Sequence, residues 1–172
     1  MASRKVLFLD RDGTVNVDKR YLFRPEEFEW VPGILDVCRA AQNCGLELVV
    51  ITNQSGIARG FYSEVQYESF TAYMKELFVQ NGTPLLDVLH CPLLDGPDRK
   101  PEPGMFLRAR DRWNIDMARS FSLGDKERDI EAALRAGVGT NVLYTPSRPD
   151  ATRAAHVVAD LREMIPLIEQ QS

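Results

Sequence analysis

The chain has 172 residues, 44% hydrophobic and 27% charged, a balance that suits a folded globular protein with a full core and excludes extended disorder. Its formal net charge of -4 argues against a general nucleic-acid or membrane-surface partner, and no apolar run reaches membrane-spanning length. Three scattered cysteines, Cys38, Cys44 and Cys91, with only His90 and His156 beside them, make neither a disulfide framework nor a pair of zinc-ligand clusters. No basic segment followed by a long apolar run opens the chain, so the expected compartment is the cytoplasm.

In chain order, Val6 to Leu9 is an apolar run that reads as a short strand buried on both faces, and it stops abruptly in Asp10, Arg11, Asp12 and Gly13. Two carboxylates this close repel each other unless a cation or a shared proton intervenes; the alternative is an ordinary exposed Asp-Gly turn. Asn16 to Glu29 is polar and irregular, with Pro25-Glu26-Glu27 reading as a turn or the first turn of a helix. Apolar positions recur at helical spacing from Ile34 to Asn43, and Gly45 ends that helix. Leu46 to Ile51 is a second buried strand, again stopping in polar residues, Thr52, Asn53, Gln54, Ser55 and Gly56. Ser63 and Gln66 form a capping-box pattern for a helix reaching about Gln80, closed by Asn81 and Gly82.

Leu85 to His90 is a third strand candidate, and Cys91 to Gly104 is an aperiodic stretch rich in Pro, Gly and Asp. A helix from Pro103 to Trp113 precedes a fourth strand, Ser120 to Leu123, which ends in Gly124, Asp125 and Lys126. Glu127 to Ala136 is helical, Thr140 to Tyr144 is a fifth strand, and a last helix from Leu161 to Glu169 is interrupted near Pro166. Strands alternating with helices over the whole length predict a single domain, residues 1–172: a doubly wound, Rossmann-like α/β fold around a mainly parallel five-stranded sheet. Such a sheet places all its strand C-terminal ends along one edge. Asp10, Asp12, Thr52, Asn53, Asp125 and Lys126 then converge in one crevice.

The constellation has carboxylates, a hydroxyl, an amide and lysines, but no histidine or cysteine. Hard oxygen ligands of this kind suit Mg²⁺ placed between carboxylates and a phosphate. Asp10 can attack phosphorus, Asp12 can carry protons to the leaving oxygen and from water, and Thr52, Asn53 and a lysine can hold the phosphoryl oxygens.

Asp10-Arg11-Asp12-Gly13-Thr14, Thr52-Asn53-Gln54, Lys100-Pro101 and Gly124-Asp125-Lys126 with Asp129 resemble, in order, the four motifs of the haloacid dehalogenase superfamily. Within it, the run from Thr52 to Gly60 and Arg99-Lys100-Pro101 are similar to the D-glycero-D-manno-heptose 1,7-bisphosphate phosphatases, with the phosphatase domain of histidinol-phosphate phosphatase a close relative. The resemblance implies Asp10 as nucleophile and metal ligand, Asp12 as acid/base whose backbone carbonyl also binds Mg²⁺, and Asp125 as the second carboxylate on the metal. It implies Thr52 and Lys100 as phosphate ligands and Asn53 as a group positioning the nucleophile or its phosphate. Arg99 and Lys126 would contact the substrate beyond the transferred phosphoryl group, with Gln54, Ser55 and Arg59 bordering that pocket.

One departure from the family pattern stands out. A zinc loop of Cys-x-His and Cys-x-Cys commonly precedes Arg-Lys-Pro, whereas here Cys91 to Asp98 is shorter and keeps only the first cysteine, so structural zinc is not expected. The segment between the first strand and first helix is also too short for a cap domain. The expected partner is a small phosphorylated metabolite, a heptose bisphosphate or else histidinol phosphate, not nucleic acid or a membrane. A nucleic-acid 3'-phosphatase and a non-enzymatic receiver-like domain are weaker rivals. The lack of sustained heptads is compatible with a monomer.

Overall fold

The computed structural model describes residues 3–147 and 149–171. Its elements run β1 (Lys5–Leu9), α1 (Ile34–Asn43), β2 (Leu46–Asn53), α2 (Glu64–Gln80), β3 (Asp87–Cys91), α3 (Gly104–Trp113), β4 (Phe121–Gly124), α4 (Glu127–Arg135), β5 (Thr140–Tyr144), β6 (His156–Val158) and α5 (Met164–Gln170). The strands form one sheet in the order β3-β2-β1-β4-β5-β6, and every pairing is parallel.

Alternation along the strands explains the layering, because successive side chains leave a strand on opposite faces. Leu7 and Leu9 of β1 and Leu48 and Val50 of β2 face a core completed by α1, α2 and α5. Val6 and Phe8 of β1 and Val49 and Ile51 of β2 face a second core under α3 and α4, where Phe8 meets Phe106 with ring centroids 5.0 Å apart. Both faces being covered, the strands read as continuous apolar runs. The chain leaves β1 toward β2 and β3, then returns to the other side for β4, β5 and β6, so the strand order reverses between β1 and β4. That is where an open α/β sheet leaves a crevice at its carboxyl edge.

The sheet has six strands, not five. β6 escapes the sequence pattern because it is three residues long and borders only β5, through His156, Val157 and Val158. Thr52 and Asn53, expected just past β2, are its last two residues, paired in register with His90 and Cys91. Pro166 does not interrupt the last helix. A 3-10 turn, Leu161–Glu163, comes first, and Pro166 falls in the first turn of α5, where a missing N–H costs little. His90, which the sequence leaves without a partner, meets Glu64 through Nε2 and stacks on Tyr67 at 4.0 Å. The connection from β1 to α1 carries a single 3-10 turn, Pro25–Glu27. None of the described helices is long and apolar enough to cross a membrane.

Leu48, wholly buried on the central strand β2, tests the packing directly. Leu48→Ala should lower the unfolding free energy by about 2–5 kcal/mol, read as a fall in the urea midpoint with unchanged slope.

Candidate active site

The site is built on the ends of β1, β2 and β4. Asp10 follows β1, and its backbone N–H donates to the Leu123 carbonyl of β4 at 3.0 Å, fixing the nucleophile candidate across the switch point. Lys100, 2% exposed, reaches this point from the loop before α3. Its ammonium donates to Asp10 Oδ1 at 2.8 Å and to the Ile51 carbonyl at 2.7 Å, and lies 2.7 Å from Asp129 Oδ1. Burial alone would depress the lysine, but the two carboxylates and their hydrogen bonds outweigh it, so its pKa stays above the ordinary value. Lys100 is charged at every working pH.

Asn53 holds that lysine in place. Its Nδ2 donates to the Lys100 carbonyl and its Oδ1 accepts from the Lys100 N–H, both at 3.0 Å. Asn53 is therefore connected to Asp10 through Lys100. Asp129 is the partner that the sequence motif contains but assigns no role. One of its oxygens takes Lys100 and the other accepts the Lys126 backbone N–H at 3.1 Å, at the start of α4.

Asp12 lies in a different cage. Its Oδ1 accepts from Arg11 Nε at 3.2 Å, Arg11 Nη2 at 3.0 Å and Asn16 Nδ2 at 3.0 Å, while Oδ2 accepts only from Gln54 Nε2, also at 3.0 Å. Arg11 is wholly buried, with Nη2 also donating to the Leu22 carbonyl at 2.8 Å and the guanidinium 4.8 Å from the Phe70 ring centre. Thr52 is 1% exposed, and its hydroxyl oxygen accepts from Gln54 Nε2 at 2.8 Å. The roles of Arg11, Asn16 and Tyr62 are not legible in the sequence, since a buried arginine between two acids reads there as an exposed charge.

Asp125 is the unbalanced member. Asp10, Asp125 and Asp129 each bring a carboxylate oxygen within 4.8 Å of the others. Lys100 serves Asp10 and Asp129, whereas Asp125 has Lys126 Nζ only at 3.4 Å, and its buried Oδ1 has no hydrogen-bond partner. Burial, and then the neighbouring Asp10 carboxylate, push the Asp125 carboxyl up to about 8. An unpartnered buried oxygen and a carboxyl lifted by a like charge fit a divalent cation between Asp10 and Asp125. The all-oxygen donor set suits Mg²⁺. Gly13 makes room for this pair, because its φ is +92° and a Cβ there would lie 2.3 Å from Asp125 Oδ2.

Above these groups opens a cleft of about 490 Å³, lined by Asp10, Asp12, Asn53, Gln54, Ser55, Arg59, Arg99 and Lys126, all expected, and by Asp18, Arg20, Tyr21, Tyr62 and Arg128, which were not. Thr52, Lys100 and Asp125 lie against these lining residues through Gln54, Asp10 and Lys126. All eleven site residues named from the sequence are thus gathered at one sheet edge. The cationic rim beyond a carboxylate floor matches an anionic substrate with a second charged group.

Comparison with known proteins agrees. The HAD-hydrolase-like family matches residues 98–164. The chain is 42% identical over 166 residues to the D-glycero-beta-D-manno-heptose-1,7-bisphosphate 7-phosphatase of Yersinia pestis, covering 90% of this chain and 87% of that protein. It is 40% identical over 147 residues to the D-glycero-alpha-D-manno-heptose-1,7-bisphosphate 7-phosphatase of Campylobacter jejuni, covering 85% and 86%. The crystal structure of the D,D-heptose 1,7-bisphosphate phosphatase of B. bronchiseptica, complexed with magnesium and phosphate, superposes with a TM-score of 0.85 at 28% identity, covering 98% of this chain and 99% of that one.

Two outcomes follow from the geometry. Gly13→Ala forces a methyl into Asp125 and an alanine into left-handed backbone, so metal affinity, followed by titration calorimetry, should fall at least about tenfold. In chelator, Asp125 gives a signed pH effect. Its folded value of about 8 exceeds its ordinary 3.8, so the folded state keeps a proton that the unfolded chain has lost, and stability falls as pH rises from about 4 to 8. Asp125→Asn should flatten that decline in urea denaturation.

Proposed function

This chain belongs to the haloacid dehalogenase-like hydrolases, among the D-glycero-D-manno-heptose 1,7-bisphosphate 7-phosphatases, and we propose that it removes the 7-phosphate of a D-glycero-D-manno-heptose 1,7-bisphosphate in a Mg²⁺-dependent reaction through an aspartyl phosphate. The observation that carries the reading is the pairing of a lysine-held carboxylate, Asp10, with an unneutralised one, Asp125, at the floor of a cationic cleft.

A carboxylate of Asp10 attacks phosphorus, forming an Asp10 O–P bond as the bond from phosphorus to the sugar oxygen breaks. Asp12 gives its proton to that departing oxygen. The same Asp12, now a carboxylate, takes a proton from water as the water oxygen bonds to phosphorus and the Asp10 O–P bond breaks, releasing inorganic phosphate and restoring both acids. Three donors already occupy Asp12 Oδ1, so Oδ2 is the oxygen that carries the proton. Thr52 and Lys100 hold the phosphoryl oxygens. Mg²⁺ on Asp10, Asp125 and the Asp12 carbonyl would neutralise the charge that otherwise keeps carboxylate and phosphate apart.

The second phosphate of the substrate falls to Arg99 and Lys126 at the rim, with Ser55 and Arg59 bordering the sugar. Arg99 Nη1 donates to the Leu93 carbonyl at 3.1 Å, which ties the shortened loop after β3 to the rim. Cys91 itself is the last residue of β3, 1% exposed, and packs in the apolar core under α3 and α4. Structural zinc has no place in this reading.

Activity on both heptose bisphosphate anomers, histidinol phosphate and a 3'-phosphorylated oligonucleotide, ranked by kcat/KM, tests the substrate class. A heptose bisphosphate should lead, and a leading oligonucleotide or histidinol phosphate would contradict the proposal. Asp10→Asn should reduce kcat by about a thousandfold or more, and chelation should abolish turnover until Mg²⁺ is restored.

A further inference from the structure

We infer that Tyr62 is a positioning residue, whose hydroxyl fixes the side-chain amide of Gln54 so that Gln54 holds Asp12 in the orientation that delivers its proton to the leaving oxygen. The inference rests on the acid/base role proposed for Asp12.

Gln54 is 2% exposed, and its amide is engaged on three sides. Nε2 donates to Asp12 Oδ2 at 3.0 Å and to Thr52 Oγ1 at 2.8 Å, which uses both of its hydrogens. Oε1 accepts from the Tyr62 hydroxyl. Turned over, the amide would set its carbonyl oxygen against the Asp12 carboxylate. The Asp12 carboxylate, an acceptor only, opposes that turn, and the Tyr62 hydroxyl anchors the amide from the other side by donating to its carbonyl. Neither hydroxyl sets the orientation by itself, because each can accept from an N–H or donate to a carbonyl.

Tyr62 is itself held. It is 4% exposed, its ring stacks on Phe23 at 5.2 Å, and Gly56 lies so close that a Cβ would come within 2.2 Å of Tyr62 Cε1. Burial raises its pKa well above the ordinary tyrosine value, so the hydroxyl remains a donor at working pH. Gly56, Tyr62 and Gln54 share the loop after β2, and the line they form ends on one oxygen of Asp12, which follows β1. Since Asp12 Oδ1 is filled by Arg11 and Asn16, the direction of Oδ2 depends on Gln54.

The readout is the leaving group. An alkyl phosphate needs a proton on its departing oxygen, whereas 4-nitrophenyl phosphate expels an anion that needs almost none. Tyr62→Phe should lower kcat/KM for the best alkyl phosphate about tenfold, and for 4-nitrophenyl phosphate less than about threefold. Gly56→Ala, which keeps every polar group but displaces the Tyr62 ring, should give the same split. In a Gln54→Leu background, Tyr62→Phe should add nothing. Equal losses on both substrates, no loss on either, or additive losses would overturn the inference. An unaltered enzyme inactive on every alkyl phosphate would overturn the proposed function instead, and the inference with it.

Discussion

The arrangement depends on one buried ammonium. Lys100 lies between Asp10 and Asp129, each carboxylate about nine-tenths buried, and its charge compensates both. The pair also organises the backbone around it. Asn53 at the end of β2 clamps the Lys100 main chain, and Asp129 takes the N–H that opens α4. Four segments remote in sequence are locked to one another by hydrogen bonds that converge on a single lysine.

Three acids at the same edge then acquire different properties from their surroundings. Asp10 is paired with the buried Lys100 ammonium. Asp12 is surrounded by neutral and cationic donors that fill one oxygen and leave the other to carry a proton. Asp125 receives too little positive charge, and its lifted pKa and unpartnered oxygen express a requirement for a cation. In the proposed mechanism, these different environments let one site supply a nucleophile, a proton carrier and a metal ligand from the same residue type. Chain geometry serves this separation, as at Gly13, where no side chain fits against Asp125.

Much of this was legible in the sequence because a two-sided parallel sheet writes its strands as apolar runs and ends each in polar residues. Asp10, Thr52 and Asp125 could be placed at one edge from that alone. Short or edge-bound structure was not legible: β6 has three residues and one neighbour, too few for a period to register. The positioning groups were hidden for another reason. Arg11, Asn16, Tyr62 and Asp129 have no distinctive composition, and their importance arises from burial and from partners across the fold. The assignment of Asn53 shifted in the same way, since its bond to the Lys100 backbone spans forty-seven positions.

The central claim is that phosphate passes through Asp10. Rapid acid quench of the Mg²⁺-loaded enzyme during turnover of a heptose bisphosphate, followed by peptide mass spectrometry, tests it directly. The account predicts a phosphoryl group on the peptide containing Asp10, appearing within the first turnover and absent from Asp10→Asn. Turnover with no phosphorylated peptide at any quench time, or a phosphoryl group on another residue, would contradict it.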